Sequence, residues 1–124
     1  MTVLLDTHVI LWWQTDDARL GEAAREAIAT ADLVLVSAVS GWEMSIKAAL
    51  GRLKIREPFP ALLAADDFTE LPMTLAHTER LATLPPVHSD PFDRMLIAQA
   101  LTERAAFITH DRKLAPYGMN VIWT

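Results

Sequence analysis

Short runs of apolar, β-favouring residues recur along this chain, bounded by polar or turn-forming residues. Runs of this length are typical of strands. The run at 33–36 is apolar throughout, which suits a strand covered on both faces and points to a parallel sheet. The predicted strands, of which the third is weak, cover residues 2–5, 33–36, 68–71, 107–109 and 121–123.

Between these runs, apolar residues recur at three- and four-residue spacing, which is typical of helices with one buried face. The predicted helices cover residues 7–14, 20–31, 40–50, 59–65, 74–84 and 91–106. Strands that alternate with helices form right-handed βαβ units. The sequence therefore predicts one α/β domain over residues 1–124, a three-layer α/β/α sandwich with a mainly parallel central sheet.

Composition narrows the class of protein. A chain of 124 residues with 52% hydrophobic content can fill one core. The absence of Cys excludes a disulfide scaffold, a zinc–thiolate site and a cysteine nucleophile. No apolar run is as long as a membrane span, and residues 1–20 lack the features of a signal peptide. We therefore expect a soluble, cytoplasmic protein with no membrane partner.

The formal net charge of −5 argues against nucleic-acid binding through a general basic surface. It is compatible with a metal-assisted nuclease, because acids gather where cations bind. Positive charge is concentrated at Lys47 and residues 52–56. This stretch is a candidate contact for phosphates or for a partner chain, although a solvated surface connection is the more common role of such residues.

The helix predicted at 91–106 carries a carboxylate on its apolar side. Asp90 suits the N-cap and Pro91 suits the first helical position. Asp93 heads an apolar row on one helix face, completed by Ile97, Ala100 and Leu101. A buried carboxylate needs hydrogen-bond donors, a cation or a metal. At the third helical position, however, Asp93 also has an ordinary capping role.

Three further acids have both a functional and a local interpretation. Asp6 and Asp111 each follow a predicted strand, and Glu43 lies in the first turn of the helix after the second strand. Asp111 also suits the cap of the short segment that follows it. Glu43 suits a capping box with Ser40 or an ion pair with Lys47.

The carboxyl ends of parallel strands form one edge of a sheet, and ligands bind there near the topological switch point. Three of the acids fit this placement, whereas Asp93 heads a helix that precedes a strand, so the pattern alone does not bring it there. Four acids at one edge repel one another unless cations bind between them. Carboxylates suit Mg²⁺ or Mn²⁺, and such a metal can activate water for hydrolysis of a phosphodiester.

Four segments together resemble the PIN-domain family, in particular the VapC-type toxins of bacterial toxin–antitoxin pairs. The segments are Asp6-Thr7-His8, Ser40-Gly41-Trp42-Glu43, residues 90–100 (DPFDRMLIAQA) and Thr109-His110-Asp111. Each segment alone is a weak signal. Their order and spacing carry the resemblance, which covers essentially the whole chain.

The resemblance implies a Mg²⁺- or Mn²⁺-dependent endoribonuclease that cleaves RNA. Its catalytic and metal-binding acids would be Asp6, Glu43, Asp93 and Asp111, because this fold brings Asp93 beside the other three. It also implies a homodimer and a cognate antitoxin that covers or enters the acidic groove. Candidates for supporting or substrate-binding roles are Thr7, Thr109, Arg94 and Lys47.

Several conspicuous side chains have structural interpretations. Arg94 is a candidate phosphate contact, with an ordinary pair to Asp90 as the alternative. Periodicity places three apolar residues of the helix at 40–50 in the core: Trp42, Ile46 and Ala49. No role is assigned to three histidines, because a hard cation prefers oxygen ligands: His8, His88 and His110.

Two other functions are weighed against the nuclease. A phosphotransfer or phosphatase-like α/β domain also places acids at strand ends, but an aspartate-nucleophile phosphatase needs Asp-x-Asp where this chain has Asp6-Thr7-His8. A non-catalytic RNA- or protein-binding module of the same fold is recognisable by missing acids. All four acids are present, so the nuclease is preferred.

Overall fold

The computed structural model describes residues 1–124 and contains one five-stranded sheet with helices on both faces. The strands are β1 (Thr2–Leu5), β2 (Leu33–Ser37), β3 (Thr69–Leu71), β4 (Ala106–Thr109) and β5 (Val121–Trp123). The helices are α1 (Thr7–Gln14), α2 (Glu22–Thr30), α3 (Ala38–Ala49), α4 (Phe59–Ala65), α5 (Leu75–Ala82) and α6 (Pro91–Glu103), with two 3-10 helices at Ala18–Leu20 and Arg112–Tyr117.

All four strand pairings are parallel, and the strand order is β3-β2-β1-β4-β5. The first strand is therefore the central one. Val3 lies opposite Val34 of β2 and Ala106 of β4. The chain extends the sheet from β1 in one direction and then returns to β1 to extend it in the other, which creates a switch point beside the end of β1. The predicted three-layer α/β/α sandwich with a parallel sheet is confirmed.

The core has two halves, one on each face of the sheet. Along β1, Val3 and Leu5 face one half and Leu4 faces the other, and all three are fully buried. This alternation follows from the two-residue period of a strand. Because helices cover both faces, all three positions are apolar.

Helix α6 begins as the sequence predicts. Asp90 is its N-cap and accepts hydrogen bonds from the backbone N–H groups of Phe92 (2.8 Å) and Asp93 (3.2 Å). The helix ends earlier than predicted, at Arg104 in a left-handed conformation with φ 54°. This turn lets β4 start at Ala106. Six consecutive residues of α6, 95–100, are buried, so the helix is a core element and not an amphipathic surface helix.

The predicted start of α3 is wrong by two residues, and the proposed capping box between Ser40 and Glu43 is absent. Ser37 at the end of β2 is the N-cap, and its hydroxyl accepts from the N–H of Val39 at 3.0 Å. The strand thus passes directly into the helix. Ser40 lies inside the first turn, where the backbone is already helical.

The predicted core side of α3 is also wrong. Trp42 is 57% exposed and Ile46 is 38% exposed, and Ala49 is exposed as well. The buried residues of α3 are instead Val39, Ser40, Glu43 and Met44. The predicted helix at 20–31 is also interrupted: Gly21, with φ 77°, separates a 3-10 helix from α2.

No helix in the chain has both the length and the apolar character that crossing a bilayer requires.

Candidate active site

A cleft of about 720 Å³ opens at the carboxyl edge of the sheet. All four predicted acids line it: Asp6, Glu43, Asp93 and Asp111. They include Asp93, which the strand pattern alone did not place at this edge. The cleft lies where β1 and its neighbours end, which is the position that a parallel sheet with this strand order favours for a ligand.

Asp6 is the most deeply buried of the four carboxylates. It follows β1 directly and caps α1, accepting from the N–H of Thr7 at 2.7 Å. Its other oxygen accepts from the hydroxyl of Thr109 at 2.6 Å. Burial raises the pKa of Asp6, while the hydrogen bonds from Thr109 and Thr7 act in the opposite direction. The hydrogen bonds from the protein therefore compensate only part of the cost of burying the negative charge of Asp6.

Glu43 reaches the cleft from α3. Its Oε1 accepts from the hydroxyl of Thr7 at 2.7 Å, and its Oε2 lies 3.1 Å from Nζ of Lys47. The predicted pair with Lys47 is therefore present. The single hydroxyl proton of Thr7 is used on Glu43, so the hydroxyl of Ser40, 2.9 Å away, must donate to Thr7. Thr7 thereby joins the start of α1 to α3 and fixes the Glu43 carboxylate.

Asp93 enters the cleft from the first turn of α6. Burial raises the pKa of its carboxyl to about 6, the charges of Asp6 and Asp90 add to that rise, and a hydrogen bond from His88 opposes it. The Nε2 of His88 lies 2.8 Å from Oδ2 of Asp93. Asp93 lies in the first turn of α6 and lines the cleft, but its carboxylate accepts no backbone hydrogen bond, so the predicted reach back to a backbone N–H is absent.

Asp111 lines the cleft and also forms the predicted cap of the segment that follows it. Its Oδ1 accepts from the N–H of Lys113 at 3.0 Å and caps the following 3-10 helix. Its own N–H donates to the hydroxyl of Thr109 at 3.1 Å. One ligand atom each from His88, Asp93 and Asp111 lies within 4.8 Å of the other two.

The donor set of the cleft fits a divalent cation of the Mg²⁺ or Mn²⁺ type. Four carboxylates supply the oxygen ligands that these ions prefer. The pKa values of Asp6 and Asp93 are both raised, so their negative charges lack full compensation within the protein. A cation between them would supply it.

Basic side chains surround the acids, and most of them differ from the predicted set. Lys47 lines the cleft, as do three residues that the sequence did not single out: Arg19, Arg112 and Lys113. The basic segment at 52–56 instead lines a neighbouring groove through Lys54 and Arg56. Arg19 lies in the first 3-10 helix and Arg112 and Lys113 lie in the second, so they come from two segments far apart in sequence.

Arg94 points away from the acids. Its Nη1 donates to the carbonyl oxygens of Pro85 (2.9 Å) and His88 (3.4 Å) and to the hydroxyl of Tyr117 (3.3 Å). The alternative ion pair with Asp90 is not formed either. Arg94 therefore fastens the segment between α5 and α6 onto the body of the protein.

Thr109→Val should lower the stability of the protein, because valine keeps the shape of threonine and removes its hydroxyl. The loss leaves an oxygen of Asp6 and the N–H of Asp111 without their partner. We expect a decrease of about 1–3 kcal/mol in the free energy of unfolding at pH 7, measured by urea denaturation. Thr109→Ser retains the hydroxyl and is the matched control. Equal midpoints for the valine and serine variants would contradict this role.

Residues 3–118 match the family model described as the PIN domain, and the chain belongs to that family. Ribonuclease VapC22 of Mycobacterium tuberculosis is 34% identical to it over 116 residues, which cover 91% of this chain and 89% of that protein.

Solved structures show the same fold at lower identity. VapBC2 from Rickettsia felis, bound to a DNA fragment from its promoter, aligns with a TM-score of 0.73 at 13% identity and covers 98% of both chains. DNA-bound VapBC from Salmonella typhimurium aligns with a TM-score of 0.67 at 14% identity, covering 98% of this chain and 97% of that one. The predicted family and fold are confirmed.

Proposed function

We propose that this chain is a VapC-type toxin of a toxin–antitoxin pair, a Mg²⁺- or Mn²⁺-dependent endoribonuclease that hydrolyses RNA phosphodiester bonds. The observation that carries the proposal is the convergence of four carboxylates in one cleft of a PIN-domain chain. Its similarity to a protein named as a ribonuclease supports RNA as the substrate. Residues 1–124 would act as a single nuclease domain, in the cytoplasm where its RNA substrate is found.

The side chains of the cleft divide into two groups. Asp6, Asp93, Asp111 and Glu43 would hold the cation, each oriented by a neighbouring donor. When bound, the cation lowers the pKa of a water and offsets charge that grows on the phosphate. Lys47, Arg112 and Lys113 line the same cleft and would hold the phosphodiester backbone. Acids at the centre and bases around them explain how a chain of net charge −5 can bind RNA.

Metal removal should abolish the activity. We expect the purified chain to cleave single-stranded RNA in Mg²⁺ or Mn²⁺ and to lose cleavage in EDTA, with recovery when metal is added in excess. Because water is the proposed nucleophile, the products should carry no 2′,3′-cyclic phosphate, which end-group analysis measures. Full cleavage in EDTA, or cyclic phosphate ends, would contradict the metal-assisted hydrolysis and suggest attack by the 2′-hydroxyl.

For partners, we propose a cognate antitoxin and a second copy of the chain. The chain is similar in fold to the toxin–antitoxin complex from Klebsiella pneumoniae, which supports an antitoxin as a partner. The exposed apolar residues Trp42 and Ile46 of α3 are candidate contacts between protomers. Light scattering of the purified chain tests the homodimer, and a monomeric mass at micromolar concentration would contradict it.

A further inference from the structure

His88 occupies a position that the proposed mechanism leaves unused. It lies in the segment between α5 and α6, with 19% of its side chain exposed. Its Nε2 is 2.8 Å from Oδ2 of Asp93 and 3.9 Å from Oδ2 of Asp111. It makes the only hydrogen bond from the protein to the Asp93 carboxylate. The Asp93 carboxylate is thus held by one imidazole.

The backbone of His88 is fixed to the core. Its N–H donates to the hydroxyl of Tyr117 at 2.7 Å, and Tyr117 is buried. Arg94 donates to the same hydroxyl and to the carbonyl oxygens of Pro85 and His88. Since Arg94 follows Asp93 in α6, the helix that carries the acid also carries the anchor of its hydrogen-bond partner. Hydrogen bonds that fix the backbone in this way are typical of side chains that must keep one orientation in a functional site.

We propose that His88 is a positioning residue of the acidic cleft. Its Nε2–H fixes one oxygen of Asp93 and leaves the other oxygen for the cation. Because it assigns a role toward that cation, the inference rests on the proposed metal-dependent function. An ionised carboxylate only accepts hydrogen bonds, so Nε2 carries the proton and is not itself a metal ligand. Thr109 and Thr7 serve Asp6 and Glu43 in the same way. The site therefore consists of acids that each have a fixed donor.

Binding of Mn²⁺ alone, without RNA, tests the inference. Electron paramagnetic resonance of free Mn²⁺ gives the dissociation constant for the full chain. We expect His88→Ala to weaken Mn²⁺ binding about 10- to 100-fold, the usual effect of losing a partner of a metal ligand. His88→Gln should recover part of the affinity, because its amide can donate to Asp93. The control is Glu79→Ala, which truncates an exposed side chain of α5 outside the cleft, and its affinity should be unchanged.

Four outcomes would overturn the inference. The first is equal Mn²⁺ affinity in His88→Ala and the wild type, and the second is no recovery in a folded His88→Gln. The third is a strong ¹⁴N coupling to the bound Mn²⁺ that disappears in His88→Gln, since it would make His88 a ligand. The fourth outcome applies if His88→Ala fails to fold. Tyr117→Phe keeps the imidazole and removes the hydroxyl that anchors the His88 backbone, and an unchanged Mn²⁺ affinity in Tyr117→Phe would then overturn the inference.

The measurement separates this inference from the proposed function. A wild-type chain that binds no Mn²⁺ would overturn the metal proposal and the role of His88 together. The expected Mn²⁺ affinities without cleavage of any RNA would support the role of His88 and overturn the ribonuclease proposal.

Discussion

Asp93→Asn is expected to lower the rate of RNA cleavage by about 1,000-fold or more without unfolding the protein. The substitution removes a charged ligand from the proposed metal site, whose electrostatic contribution to the transition state is several kcal/mol, and each 1.36 kcal/mol is about ten-fold in rate. Asparagine keeps the size of the side chain, and the N-cap of α6 is Asp90. Single-turnover cleavage of an RNA substrate in Mn²⁺ measures the effect.

The same variant should be more stable than the wild type in EDTA, with a defined pH dependence. The folded protein raises the pKa of Asp93 from the ordinary 3.8 to about 6, so folding favours the protonated form. The stability that this contributes is complete below about pH 4 and is lost as the pH rises through about 6. The advantage of the asparagine variant should therefore grow by on the order of 2 kcal/mol across that interval.

The control for both measurements is Asp66→Asn, which removes an equal charge from an exposed position at the end of α4. It should leave cleavage and the pH profile of stability unchanged. Unaltered cleavage by Asp93→Asn would remove Asp93 from the site. A stability difference that does not vary with pH would mean that the Asp93 carboxyl titrates normally in the folded protein.

Leu96→Ala should destabilise the protein by about 2–5 kcal/mol, the usual cost of this substitution in a packed core. Leu96 is fully buried in α6, three residues after Asp93, and belongs to the same buried cluster as Leu4 and Phe107. The cost is a large part of the total stability of a domain, which is about 5–15 kcal/mol. Urea denaturation in EDTA gives the difference in the free energy of unfolding.

Leu75→Ala makes the identical chemical change at the first position of α5, where the side chain is 82% exposed. Its effect should stay within about 0.5 kcal/mol, as for most surface substitutions. If the two alanine variants had similar midpoints, α6 would not be the packed element that the structure describes.

The parallel sheet and the locations of Asp6 and Asp111 follow from short-range patterns, since β1 and β4 are compact apolar runs with an acid shortly after them. The N-cap Asp90 and the following Pro91 likewise give the start of α6. Periodicity and capping preferences are local, and the sequence displays them directly. These features required no knowledge of the tertiary structure.

Local patterns were not sufficient where two residues could cap the same helix. Ser37 and Ser40 are both acceptable caps for α3, and in the folded protein the cap is Ser37. Trp42 is also exposed, although helical periodicity predicted it in the core. The role of His88 is equally invisible in sequence, because it depends on Tyr117, which is 29 residues away along the chain. Only the resemblance to PIN domains placed Asp93 beside the other acids.

The central position of β1 has a consequence for protein synthesis. Asp6 is synthesised before the hydroxyl that holds it, because that hydroxyl belongs to Thr109, 103 residues later. Until β4 is synthesised, β1 has only one of its two neighbouring strands. The cleft then lacks Asp111, which follows β4. A chain whose synthesis stops before β4 therefore carries no assembled site.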